Sequence, residues 1–501
     1  MNLSRIVQNW AGQFPDKVAL HFQGTDVTYH DLWQRIEWAT QSLQVQKGDR
    51  VAYLGYNSPA MLVLLFALAR LGAMLVPLNW RLTAAEHRTI LADCSPKWVF
   101  CDSEFQVHCE SLGIPIDRIE PSGESRNIEG SDNDDVLIVH TSGTTGKPKG
   151  AVLSQSALLW NGFNSIHAHD LSQSDHVLTA LPMFHVGGLN IQTLPALQAG
   201  ATVTLHRRFD PALWLADVAR RRPTISLLVP ATLQAVISHP AWANTDLSSL
   251  RMLNAGSMMV PDSMIRAFHA RGIPVGQIYG CTETAPIATV LLKEDAIRKL
   301  GSAGKPAPHC EVKLVDNEVW VRGPNVMRGY WNDLTATAAA LTPEGWFRTG
   351  DLARVDEEGY YWIIGRSNDV IISGGENIYP AELENVLADC SAIAEAAVIG
   401  VDDPKWGEAA CACVVRGQGN AIEETEILNL FSNRLAKFKH PRCVVFLDSL
   451  PRNAMGKVQK FELKRLVFAA GIRRGHATRL QDKRQELDHQ PGGQEPHAGN
   501  Q

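Results

Sequence analysis

VHTSGTTGKPKG, residues 139–150, stands between the apolar run Val136, Leu137, Ile138, Val139 and a second one, Ala151, Val152, Leu153. A strand entering and a strand or helix leaving would hold the middle of this segment as a loop. Thr141, Ser142, Thr144 and Thr145 bring hydroxyl donors, Gly143 and Gly146 let backbone N–H groups close on an anion, and Lys147 and Lys149 add positive charge. A polyphosphate requires this set. The P-loop of nucleotide triphosphatases is excluded, because it needs four residues between its glycines and then Lys-Ser/Thr. Here Gly143 and Gly146 enclose only Thr144 and Thr145, and Lys147 is followed by Pro148, which has no N–H to donate. A flexible surface linker would have no reason to carry this many lysines and threonines.

Outward from the loop the chain alternates helix-like and strand-like spacing. Residues 29–43 and 59–71 read as helices, and 50–54 and 98–101 as strands. Beyond the loop follow a helix at 156–168, a strand at 177–180, and LPMFHVGGLN at 181–190, whose aromatic ring, histidine and paired glycines suggest a pocket wall. A strand at 201–205, a helix at 211–221, a strand at 224–229 and a helix at 231–238 continue a βα alternation, which predicts mostly parallel sheet. A polar break at Ser367, Asn368 and Asp369 marks a domain boundary. The predicted organisation is an N-terminal domain over 1–367, a smaller domain over 368–470 with strands at 396–399 and 410–415 and a helix at 423–435, and a polar tail over 471–501 expected to be disordered.

The 501 residues are 45% hydrophobic with a formal net charge of −6, ordinary values for a soluble globular protein of two or more domains. Mild acidity and short basic clusters argue against nucleic acid as a partner. Nine cysteines with no CxxC pair, and an opening MNLSRIVQNW without a signal-peptide pattern, predict a reduced cytoplasmic protein whose thiols mostly pack in the interior. The longest apolar stretch, 61–69, is too short to span a bilayer and reads as a buried helix.

TSGTTGKPKG resembles the signature of the adenylate-forming family, which includes acyl-CoA synthetases, aryl-CoA ligases, peptide-synthetase adenylation domains and luciferase. Further resemblances follow in family order over roughly residues 5–468. The implied fold class is α/β: a large N-terminal domain of mostly parallel sheets flanked by helices, with a small β-rich subdomain, and a small mobile α+β C-terminal domain hinged at Asn368. In NAGSMM (254–259), Ala255, Gly256 and Ser257 would let adenine lie against the backbone. In QIYGCTE (277–283), Tyr279 could stack on the purine beside Gly280 and Cys281, Thr282 bond a phosphate, and Glu283 hold Mg²⁺. WFRTGD and YWIIGR resemble two ribose-binding elements. Asp351 would accept from both ribose hydroxyls, and Arg366 would bond the ribose or α-phosphate. FHVGG at 184–188 sits where the family carries its acyl-pocket motif, so His185 reads as a catalytic residue, and Phe184, Val186, Gly187 and Val229 as the acid pocket.

Joining a carboxylate to the α-phosphorus of ATP brings two anions together, so a cation must bridge them. Lys457, after Gly456 in a segment resembling the family's last motif, is the candidate, while Lys460 is read as a solvated side chain. For the second nucleophile, Trp406, Phe438, Lys439, His440 and Arg442 resemble the set with which aryl-CoA ligases grip the nucleotide of coenzyme A, and Gly374 and Gly375 would line the pantetheine path. The reading is an AMP-forming carboxylic acid–CoA ligase using ATP, Mg²⁺ and coenzyme A on an aromatic, hydroxycinnamate-like or medium-chain acid, with no nucleic acid or membrane span and room for a homodimer. An enzyme loading a carrier protein and a non-catalytic nucleotide or carboxylate sensor are the alternatives.

Overall fold

Strands such as RVAYL (Arg50–Leu54) and MLVPL (Met74–Leu78) are almost wholly buried, as parallel strands covered by helices on both faces must be. The computed structural model describes residues 2–112, 130–141, 148–258, 260–432, 434–453 and 456–469. It divides into two units, Met1–Ile363 and Ile364–Gln501, and the chain passes from one to the other inside the strand Tyr361–Arg366. That division precedes the 367/368 boundary read from the sequence.

The first unit holds two large sheets. In the six-stranded sheet, Asp135–Thr141, Met74–Leu78, Arg50–Leu54 and Trp98–Cys101 run parallel, and Lys149–Ser154 returns antiparallel to Asp135–Thr141. The loop 142–147 therefore joins two adjacent strands, though it lies outside the described residues. The nine-stranded sheet has a parallel centre of Val275–Tyr279, Met252–Gly256, Ile225–Leu228, His176–Thr179 and Thr202–Leu205. A small antiparallel sheet contains the hairpin Glu311–Val315/Glu318–Arg322, whose turn residues Asp316 and Asn317 both take positive φ.

The apolar run at 61–69 lies in the helix Pro59–Leu71, buried nearly all round. Ser58 caps its start, Pro59 opens its first turn, and left-handed Gly72 ends it. Among the described residues no helix is long and apolar enough to cross a membrane. Several helices escaped the sequence reading, Arg5–Gln13, Ala84–Cys94 and Asp262–His269 among them.

In the second unit the hairpin Ile393–Asp403/Gly407–Arg416 forms the sheet centre, and Cys443–Phe446 adds parallel to it. These strands are longer than the predicted 396–399 and 410–415, because their ends are half-exposed and only their middles read as apolar. The predicted helix 423–435 is corrected to Glu424–Asn429. Beyond it the chain falls into single turns, with the N–H groups of both Arg434 and Leu435 reaching the carbonyl of fully buried Phe431. The tail 471–501 lies outside the described residues.

Candidate active site

Ligands of open parallel sheets bind beyond the carboxyl ends of the strands. The candidate segments sit there: Leu181 to Val186 after His176–Thr179, Val229 after Ile225–Leu228, Ser257 after Met252–Gly256, and Gly280 to Glu283 after Val275–Tyr279. The register places Leu228, Ala255 and Gln277 side by side, so these segments start at one level. Thr141 and Lys149 face each other at the stem of the phosphate loop. Ser142, Gly143, Thr144, Thr145, Gly146 and Lys147 lie outside the described residues.

Glu283 sits on the turn Thr282–Thr284, and Gly280 before it has φ 157° with no room for a side chain: a β-carbon there would stand 1.7 Å from the carbonyl oxygen of Pro286. The Tyr330 hydroxyl donates to Glu283 Oε1 at 2.8 Å, and Lys149 Nζ lies 5.3 Å from the centre of the Tyr330 ring. One aromatic residue thus links a loop-stem cation to the carboxylate. Among the described residues no group of three His, Cys, Asp or Glu side chains could hold a metal. The single carboxylate of Glu283 suits Mg²⁺, which takes one or two carboxylates together with phosphate oxygens and waters.

Asp351 is buried and accepts from the Tyr279 hydroxyl at 3.0 Å. Burial, reinforced by the Asp351 charge, pushes the Tyr279 pKa well above its ordinary value, so the hydroxyl stays protonated and donates. Burial likewise raises the Cys281 thiol, with Glu283 and Asp351 adding to it.

Around the predicted acid pocket, buried Asn57 holds the chain from three sides. Its Nδ2 donates to the carbonyls of Leu181 (2.9 Å) and His206 (3.0 Å), and its Oδ1 accepts from the Met183 N–H (2.7 Å). Phe184 and Val186 are buried. His185 Nδ1 accepts from the Gly187 N–H at 3.0 Å, and desolvation holds the imidazole pKa down to about 4. The ring is therefore neutral at pH 7, with its proton assigned to Nε2 as a donor.

After His185 the helix is continuous through Gln198 but widens to a π turn at Leu189–Thr193, where the Leu194 N–H reaches the Leu189 carbonyl. Pro195 is the cause, since it has no N–H to offer the Ile191 carbonyl. That carbonyl accepts instead from the Ser165 hydroxyl, and the Asn190 carbonyl accepts from Asn161 Nδ2 at 2.7 Å. Tyr330, Asn57, Asn161 and Ser165 were missed by sequence reasoning. Tyr330 alone carried a signal, lying in the half-polar RGYWND run after a strand.

In the second unit, Lys457 is exposed on a tight turn in which its N–H donates to Asn453 Oδ1 at 2.9 Å and its carbonyl accepts from the Asn453 N–H at 2.9 Å. Arg452 pairs with Glu395 (2.9 Å) and tethers the turn. The reading of Lys460 as solvated is corrected: it opens the helix Lys460–Ala469 and pairs with Glu384 at 2.8 Å.

Gly374 and Gly375 form the two-residue turn of the hairpin Ile371–Ser373/Glu376–Ile378, with φ 62° and 88°. The Gly374 N–H donates to the Trp406 carbonyl at 2.7 Å, and the Arg442 guanidinium lies 4.9 Å from the Trp406 ring centre. Trp406, Arg442 and Gly374 are therefore brought together. Phe438 is exposed, Lys439 pairs with Glu382 at 2.5 Å, and His440 Nε2 contacts the Leu435 carbonyl at 2.9 Å. Arg366 ends the strand Tyr361–Arg366, and Asn368 lies in the single turn Ser367–Asp369.

Residues 7–331 match the family described as AMP-binding enzyme, and residues 382–457 match the AMP-binding enzyme C-terminal domain. The chain is 47% identical over 502 residues to the indoleacetate–CoA ligase of Aromatoleum aromaticum, covering 93% of this chain and 98% of that one. It is 41% identical over 475 residues to a feruloyl-CoA synthase of Amycolatopsis sp, covering 90% and 96%. Among solved structures, the o-succinylbenzoate CoA synthetase (MenE) of Bacillus subtilis in complex with its acyl-adenylate intermediate superposes with a TM-score of 0.85 at 33% identity, covering 92% of this chain and 97% of that one. The same synthetase in complex with ATP and magnesium ion gives 0.84 at 32%, covering 92% and 99%.

Proposed function

This chain belongs to the AMP-binding enzyme family and is an ATP-dependent, AMP-forming acid–CoA ligase that uses Mg²⁺ and coenzyme A, and on that footing we propose that its acid is aromatic. The observation that carries the proposal is that two enzymes similar to this chain over 90% or more of its length are named for aromatic acids. Indoleacetate and ferulate, the acids in those two names, both carry a flat aromatic ring.

The roles follow from placement. Thr141 and Lys149 hold the stem of the phosphate loop, and Tyr330 keeps the Glu283 carboxylate oriented toward the metal. When bound, Mg²⁺ supplies neutralisation of phosphate charge. Tyr279 presents its ring to adenine while its hydroxyl fixes Asp351, whose carboxylate takes the ribose hydroxyls, with Arg366 as the further cation. Neutral His185 donates from Nε2 toward the acid and, having no charge at pH 7, adds none to the site. Lys457 is the cation for the carboxylate and α-phosphate. Trp406 and Arg442 grip the nucleotide of coenzyme A, with Phe438, Lys439 and His440 along the same segment, and Gly374 and Gly375 leave the thiol a path. The setting is the cytoplasm, where ATP and coenzyme A are drawn on and where the nine free cysteines stay reduced.

Acid-dependent pyrophosphate release tests the substrate class. Indoleacetate, ferulate and benzoate are compared with octanoate, and the best aromatic acid is expected to exceed octanoate in kcat/KM by about tenfold or more, the scale of a pocket mismatch of a few methylenes. Octanoate as the best substrate overturns the aromatic reading. For the nucleotide, Asp351→Ala removes a charge-assisted acceptor worth about 1.5–3 kcal/mol, so KM for ATP should rise about ten- to a hundredfold. An unchanged KM in a folded variant refutes the ribose assignment.

A further inference from the structure

The strand that carries Asp351 leaves its ladder where that residue sits. Against Glu318–Arg322, the strand Phe347–Val355 pairs Arg348 with Trp320 and Leu352 with Glu318, so Thr349, Gly350 and Asp351 stand opposite Val319 alone. The surplus residues form a bulge, the device by which a strand re-aims a side chain beside a functional site. Pairing resumes directly after it, with the Ala353 N–H donating to the Asn317 carbonyl at 2.9 Å.

Side chains replace the ladder bonds that the bulge forgoes. Glu318 Oε1 accepts from the Gly350 N–H at 2.8 Å, and Glu318 Oε2 accepts from the Trp320 indole N–H at 3.1 Å, so both carboxylate oxygens are committed. The Thr349 hydroxyl donates to the Val319 carbonyl at 2.7 Å and accepts from the Asp351 N–H at 3.0 Å. Gly350 takes φ 70°, the left-handed geometry that lets the chain turn out of the sheet here. Glu318 pairs with Val315 across the tight turn Asp316, Asn317, so a short hairpin holds it in place. Asp351, 8% exposed, leaves the bulge with Oδ2 accepting from the Tyr279 hydroxyl, which belongs to a different sheet. Backbone groups lifted out of a ladder need new partners, and here those partners fix the residue before Asp351 and the N–H of Asp351 itself.

We propose that Glu318 and Thr349 are positioning residues for the nucleotide: they hold the bulge in the form that aims the Asp351 carboxylate at both ribose hydroxyls, and so carry the enzyme's preference for a ribonucleotide over a deoxy one. The inference rests on the ribose assignment of Asp351 and adds the two side chains through which that carboxylate is presented. Both act through Asp351. With the bulge slack, the carboxylate is still in the chain but has lost its aim, so a nucleotide with ribose hydroxyls suffers and one without them does not.

The test measures kcat and KM for ATP and for 2′,3′-dideoxy-ATP in acid-dependent pyrophosphate release, with the best acid of the substrate comparison. Wild type should favour ATP in kcat/KM by about tenfold or more, the scale of losing charge-assisted hydrogen bonds. Thr349→Val, isosteric but without the hydroxyl, and Glu318→Leu should each bring the ratio near one, through a higher KM for ATP with kcat and the dideoxy nucleotide little changed. Thr349→Ser and Glu318→Gln, which keep the hydroxyl and the acceptor, should keep the ratio. If valine or leucine unfolds the protein, Thr349→Ala, which leaves space rather than bulk, is read in the same way. A folded variant that slows both nucleotides alike, with the ratio intact, overturns the inference, because damage to the sheet alone would do that. A wild-type ratio near one defeats the ribose assignment itself and the inference with it, as does an undiminished preference for ATP in Asp351→Ala.

Discussion

Lys457→Ala is expected to slow acid-dependent pyrophosphate release by about a hundredfold or more while leaving thioester formation from preformed acyl-adenylate and coenzyme A near its normal rate. The magnitude is that of losing one preorganised electrostatic contact to developing charge. Lys457 is exposed, and the turn that presents it is closed by backbone groups and Asn453: the Lys457 N–H to Asn453 Oδ1, the Asn453 N–H to the Lys457 carbonyl, and the Gly456 N–H to the Asn453 carbonyl. None of these bonds uses the lysine side chain. The Arg452–Glu395 and Lys460–Glu384 pairs that flank it are also untouched. The two half-reactions separate because the second step no longer joins a carboxylate to a phosphate and needs no cation between them. If the second unit turns about Asn368 between steps, Lys457 serves the first and another face of that unit serves the second. Equal loss of both half-reactions in a folded variant would refute this division.

The segments to which the separate roles are assigned stand out in the sequence because each is short and unusual in composition. The loop chemistry of 139–150, the His185–Gly188 run and the Gly374–Gly375 pair each declare themselves through residue types that only special backbone or anion contact would demand. The strands Arg50–Leu54 and Trp98–Cys101 were legible to the residue, since a buried strand between turn signals has few other readings.

Pairings across long stretches of chain were not legible. Tyr330 meets Glu283 from 47 positions away, and Lys460 meets Glu384 from 76, so spacing carries no trace of either. The π turn had the same fate. Pro195 hinted at a disturbed helix, but the turn is held by Asn161 and Ser165 on a different helix. The over-long helix at 423–435 failed for a local reason: Phe431 is fully buried and Asn429 and Ser432 favour turns, so the apolar period continued after the helix had ended.

Gly375→Leu is expected to spare adenylate formation and to lower thioester formation by about a hundredfold, the scale on which a misplaced reactant is punished. The difficulty lies in telling a blocked path from a damaged turn, because Gly375 has φ 88° and an L side chain at positive φ costs roughly 1–2 kcal/mol. Its neighbour is no help: a β-carbon on Gly374 would stand 2.6 Å from the Trp406 ring, so any change there disturbs packing. Gly375 differs, since a β-carbon on it would meet nothing within 4 Å. Bulk at this position therefore costs the free enzyme only the backbone term, and asparagine relieves much of that term because it tolerates left-handed geometry. Gly375→Asn is the deciding variant. If the pantetheine arm passes this turn, asparagine should block thioester formation nearly as well as leucine while its melting temperature stays close to that of the wild type. Recovery of thioester formation in Gly375→Asn, with Gly375→Leu still defective, would mean that the glycine serves the hairpin alone and that the thiol takes another path.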